Sequence, residues 1–395
     1  MVAVRKPAVE ALDFSPALGG PLHEVLTRAR LAGPNLEHLN RRLLCLAALA
    51  WLPLLILTSL DGGLFGDNHL RFLRDIETHI RLLLALPLLL VAENVAHRCI
   101  PRLMKLFSQR KIIHEEQKPK FNDAISAALK LRNSAPLEIA LFVIVCTIGN
   151  WVWRNEVALD TTSWFASPNG KDLNLTLPGY WYAFVSIPIV QFVLFRWYLR
   201  IAIWSWLLWR ISKLSLRLIP THPDHAGGIG FLAESTSAFG LIPFAQSSVL
   251  AGIIAGRIIY NGQSLASFNI TIFAMISLFI LIILAPMAVF VPALAQARRN
   301  GLNLYGTLAS SRMQHLNEKW LDHSPTAKPV FSTGDNTSLA DLESSYRNIQ
   351  HMRVVPFGLT EISGLAILTA MPLIPLVLTV IPISDLLTGL VKVLF

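Results

Sequence analysis

Charged side chains are scarce in this chain: 15% of its 395 residues, against 53% hydrophobic. An ordinary soluble enzyme is excluded by that balance, and a mean hydropathy of +0.51 makes a multi-span membrane protein the default. Cysteine is nearly missing. Cys45, Cys99 and Cys146 all fall in or beside apolar runs, so no disulfide framework is implied. The first forty residues hold Arg5, Lys6, Pro7, Asp13, Pro16 and Pro21 with no signal-peptide core, so the first span is expected to act as an uncleaved anchor. Internal repeats and low-complexity tracts are absent. So are His-Glu-x-x-His, Gly-x-x-x-x-Gly-Lys-Ser/Thr, Gly-x-Ser-x-Gly and the potassium-filter string, and no cofactor is expected. Acidic residues are the rarer sign, 25 against 34 basic, for a formal charge of +9. The basic residues cluster beside alternate ends of the apolar runs. Anionic lipid head groups are therefore the expected partner, and nucleic acid is not.

What the chain has in quantity is long apolar runs. They predict an all-α, polytopic integral membrane protein of about seven transmembrane helices with short cytoplasmic helical segments. A cytoplasmic N-terminal tail, 1–41, carries a short amphipathic helix near Leu22 to Leu31 and ends on Arg41-Arg42 as a positive stop. The transmembrane domain, 42–296, holds spans at 43–60, 82–100, 136–153, 180–209, 241–260 and 268–294, and a cytoplasmic helical loop, 101–135, broken near Pro119. Arg71 to Arg81 reads as a separate helix at the interface. A cytoplasmic hairpin, 297–357, pairs a helix from Leu302 to Leu321 with one beginning at Ser338, and 358–395 holds the last span, Leu359 to Ile381, and a short external tail. The piece 241–260 is weakly polar. It is counted as a span because otherwise Arg298, Arg299, Arg312 and Lys319 would face outward, against the positive-inside rule. This puts the N terminus in the cytoplasm and the C terminus outside an inner (plasma) membrane.

Tyr180 to Trp209 would run about 45 Å as one helix, longer than the hydrocarbon core of about 30 Å. Arg196 and Arg200 interrupt it. A charge in a lipid-spanning segment costs several kcal/mol unless it snorkels or is paired, so Arg196 needs a partner. Glu93, His97, Glu138, Arg196, Arg200 and Glu361 fall at similar depth near the cytoplasmic ends of four spans. A buried polar layer is expected there, with Arg196 paired to Glu93 or Glu361. The competing reading is that each charge snorkels alone. Glu93 and His97, one turn apart, also suit a proton relay or a metal.

The loop Thr221-His-Pro-Asp-His-Ala-Gly-Gly is the most informative short string. It can be a structural turn in which Asp224 holds amides, an anion or polar-ligand nest built from His222, Asp224, His225, Gly227 and Gly228, or a metal site on His222, Asp224 and His225. In the fifth span, Pro243, Gln246, Ser247 and Ser248 fit a path-lining helix, while Gly252 and Gly256, at small-xxx-small spacing, fit close helix packing. Three functions stay open: a transporter or channel for a small solute or ion, a sensor or assembly component docking through the hairpin, and an enzyme acting on a phosphate-bearing lipid. An odd span count would require a channel to be a homo-oligomer.

Overall fold

The computed structural model describes residues 14–30, 33, 38–62, 71–149, 151, 163–169, 172–321 and 333–379. The loop 63–70, most of the loop after Trp151, the turn with Pro325 and Pro329, Ile381 and the tail with Lys392 lie outside the described residues. The protein is helical. Six helices are long and apolar enough to cross a membrane, or seven if a pair bent by 44° counts as one span. The described elements are α1 (Pro21–Arg28), α2 (Leu39–Leu60), α3 (Ile76–Gln109), α4 (Lys118–Arg132), α5 (Ala135–Ile144), α6 (Leu177–Ser212) and α7 (Gly230–Asn261). After them come α8 (Asn269–Leu284), α9 (Val291–Leu321), α10 (Thr333–Gln350) and α11 (Leu359–Ala370). A short antiparallel hairpin, β1 (Ala166–Asn169) and β2 (Asp172–Leu175), precedes α6.

The bent pair is Glu115–Arg132 with Ala135–Gly149, so the third expected span enters through a break at Asn133-Ser134. Pro119 does not break a helix. It stands in the first turn of α4, where a missing N–H costs nothing, and the chain instead turns between Gln109 and Glu115.

Several expected boundaries move. The helix beginning at Ile76 absorbs the separate interfacial helix expected over Arg71 to Arg81. Asp75 caps its start by accepting the Thr78 amide at 3.1 Å, and Arg81 pairs with Glu77 one turn earlier, so these charges are neutralised within the span. The hairpin's first helix begins at Val291 rather than Leu302, because only a short 3₁₀ stretch, Ala285–Phe290, separates it from α8. Its second helix begins at Thr333 rather than Ser338.

Apolar residues form one large core between α3, α6 and α7, with Trp197, Trp204, Phe239, Leu86 and Phe107 fully buried. Trp197 spends its indole N–H on the Leu89 carbonyl, 2.9 Å away, locking α6 to α3. The outward faces stay apolar: Ile139, Phe142, Ile270, Phe273 and Leu281 are all more than half exposed. On a bundle of this length such faces suit lipid rather than water.

Candidate functional site

Midway along α3, about 25 Å from Ile76, Glu93 meets three guanidinium groups. Its Oε2 lies 2.8 Å from Arg42 of α2. Its Oε1 lies 2.8 Å from Arg200 and 3.5 Å from Arg196, both of α6. Arg196 also sets its Nε 2.8 Å from Glu138 of α5. All five side chains are buried. Four helices that have no sequence neighbourhood in common are thereby tied at one level, an arrangement that charges in an apolar bundle need if they are to stay ionised.

A strap of chain closes this cluster. Residues Phe14 to Gly20, just before α1, run across it with Phe14, Ser15 and Ala17 at most 1% exposed. Phe14 stacks on Trp204, ring centres 6.5 Å apart. Arg196 donates to the Gly19 carbonyl at 3.0 Å and Arg200 to the Ala17 carbonyl at 3.2 Å, while Arg132 donates to the Ser15 carbonyl. Gly19 and Gly20 lie at φ 103° and 90°, backbone that side-chain-bearing residues rarely adopt, and a Cβ on Gly20 would stand 2.8 Å from Glu138 Oε2. That same Oε2 accepts the Leu22 amide at 3.2 Å. Arg200 also lies 4.9 Å from the ring centre of Trp197.

Beside the cluster a cleft of about 480 Å³ opens between α2, α5 and α6. Leu46, Phe142, Phe184 and Phe192 line its walls, and Glu93, Glu138 and Arg196 lie at its base. The apolar lining and charged base suit a molecule that carries both characters.

The sequence-derived candidates part company here. Glu93, Arg196 and Arg200 come together, joined by Glu138. Glu361 stays apart: its carboxylate accepts the Gly358 amide at 2.6 Å and caps α11, so it is not the partner of Arg196. His97 has its Nδ1 2.9 Å from Ser15 Oγ, against the strap. Arg42, expected to stop the chain at the lipid surface, instead turns into the core at 1% exposure. Arg41 and Arg42 stand about 100° apart on the helix, so the pair alone does not say which of them turns inward. The strap left a faint signal, a lone Phe among Pro16, Gly19, Gly20 and Pro21.

The loop 221–230 closes on itself. Asp224 accepts the amides of Ala226 at 2.9 Å, Gly228 at 3.1 Å and Gly230 at 3.0 Å. Gly227 and Gly228, at φ 64° and 95°, curl the chain so that these amides face inward. The amides that such a nest would offer are taken here by the chain's own carboxylate. Burial alone would raise the Asp224 pKa, but the three amides and His222 outweigh it and hold the carboxyl below its ordinary range. His222 Nδ1 is 2.9 Å from Asp224 Oδ1. His225, at φ 52°, gives its carbonyl to the Arg353 amide at 2.7 Å. Arg110 donates to the Gly228 carbonyl and Arg353 to that of Asp224, each at 3.1 Å, so the loop pins α3 and the α9–α10 hairpin together. No three His, Cys, Asp or Glu side chains form a metal-binding group among the described residues.

A second polar group sits at the other end of the bundle. Thr78 Oγ1 gives its proton to Asp75 Oδ2 at 2.7 Å and lies 3.0 Å from the Tyr182 hydroxyl. Trp164 donates its indole N–H to the same Oδ2 at 2.9 Å. This anchors the β-hairpin to α3 and α6. On α7, Ser247 and Ser248 both donate to the Phe244 carbonyl of their own helix.

Compared with protein-family models, with curated proteins and with solved structures, the chain matches none.

Proposed function

We propose that this membrane protein is a transporter of a small charged solute, with the Glu93 cluster as its binding centre. The observation that carries the reading is Arg196, held between two carboxylates at the base of a cleft, 2.8 Å from Glu138 and 3.5 Å from Glu93. A guanidinium with two alternative anions can exchange one of them for a solute without being left bare in the core. In the same reading the Lys- and Arg-rich helix ends face the cytoplasm and the chain resides in a plasma membrane.

The test is flux through the full chain in liposomes, with sodium, chloride and phosphate offered in turn. Arg196→Lys keeps the charge and loses the planar fork, and it should cut flux at least tenfold while the protein stays folded. Absence of flux for every ion by a folded parent protein overturns the reading.

One observation favours partner docking as a second reading. Leu304 and Leu308, one turn apart on α9, are 61% and 49% exposed, and Met313 follows at 54%. Leu304→Glu with Leu308→Glu separates the two. It should leave flux intact if transport is the function, and abolish the cellular phenotype of the chain if docking is.

A further inference from the structure

We infer that the arginine cluster is a site for a phosphate-class oxyanion, which the strap Ser15–Gly19 occupies in this structure. The inference rests on the reading above and names the substrate class of the same site. Its first support is charge. Arg42, Arg196 and Arg200 face Glu93 and Glu138, three positive groups against two negative, and Arg132 stands at the rim. Among the described residues no further carboxylate answers the excess. Carbonyl dipoles of Ser15, Ala17 and Gly19 answer it instead. A neutral peptide solvates a buried cation less well than an anion does, so the cluster is built for more negative charge than it holds.

The second support is the kind of group that is held. Arg196 and Arg200 stand one turn apart on one face of α6, and each turns an Nη2 to a separate backbone oxygen, at 3.0 Å and 3.2 Å. Forked donors side by side are the arrangement that phosphate oxygens take. The Arg42 Nε is buried with no hydrogen-bond partner among the described residues, so donor capacity remains.

The third support is access. The apolar cleft reaches Glu93, Glu138 and Arg196 from the lipid-facing residues Ile139 and Phe142, and Pro21 and Leu22, which follow the strap, form part of its wall. An oxyanion on an apolar tail can enter there, and a free phosphate can enter where the strap lifts. The strap is held by carbonyl bonds, by the Ser15 hydroxyl against His97 and by Phe14, without a carboxylate of its own among residues 14–20, so an anion can outcompete it.

The test measures binding, not movement, on the full chain in lipid-free detergent, with inorganic phosphate and with a short-chain phosphatidic acid as separate probes. Gly19→Ala with Gly20→Ala strains the strap and should tighten binding at least tenfold, since the site no longer competes with its own plug. Saturating probe should also speed hydrogen exchange at the amides of Ser15, Ala17, Leu18 and Gly19 in the parent protein, a readout that needs no variant. Binding of the lipid probe alone assigns the oxyanion to a head group, and binding of phosphate alone assigns it to the free ion. Either supports the site. If neither probe binds and exchange at 15–19 is unchanged, the strap is structural and the inference is overturned. Binding without flux keeps this site and removes transport, while flux of another ion without binding of either probe keeps transport and removes this site.

Discussion

Glu93 and Arg200 meet at 2.8 Å across α3 and α6, although 107 positions separate them in the chain. The same carboxylate serves Arg42 and Arg196, so one side chain holds three helices in register. Glu93→Gln would leave three buried guanidinium groups with only Glu138 for an anion. The expected loss of stability is about 3–5 kcal/mol, read from thermal or denaturant melts of the detergent-solubilised protein. Glu361→Gln is the control. Glu361 caps one helix end through one amide, and its loss should cost about 1 kcal/mol. Equal effects from the two substitutions would remove the Glu93 cluster from the centre of the fold.

Asp224 gives a pH dependence of definite sign. Its carboxyl titrates below the ordinary value because three amides and His222 favour the charged form over the cost of burial. Folding therefore gains from Asp224 above its unfolded pKa of about 3.9, and the gain is lost as pH falls through the lower folded value. Asp224→Asn should cost about 2–3 kcal/mol at pH 7, and the gap between variant and parent should close toward pH 3. Melting curves at the two pH values check it. A gap that stays constant would mean that the loop is held by Arg110 and Arg353 rather than by the carboxylate.

Hydropathy made the helices legible, because an apolar run of about twenty residues has no better place than a bilayer. The convergence of Glu93 with Arg196 and Arg200 was legible for a related reason: an isolated charge at that position is too costly to leave alone. The choice of partner was not. Glu138 and Glu361 both stand in the first turn of a helix, and only the packing of α5 beside α6 decides that Arg196 reaches Glu138 while Glu361 caps α11. The strap is barely legible, because residues 14–20 carry no charge and no periodicity, and a lone Phe14 does not say that their carbonyls are needed elsewhere. The role of Asp75 is not legible either, since its partner Trp164, and the Tyr182 that its neighbour Thr78 meets, arrive from about a hundred residues away.

Two glycines of α7, Gly252 and Gly256, separate packing from path. A Cβ placed on Gly252 would stand 3.1 Å from the Glu77 Cα and 3.3 Å from the Ile80 side chain, so here the backbones of α7 and α3 nearly touch. At Gly256 a Cβ meets nothing within 4 Å. Gly252→Leu must push the two helices apart and should cost about 1–3 kcal/mol, the usual penalty for overfilling a packed interior. Gly256→Leu should change stability by no more than about 0.5 kcal/mol, and can gain from the better helix propensity of leucine. Melts of the two single variants decide the matter. If α7 lined a solute path instead, both substitutions would leave stability alone and both would lower flux.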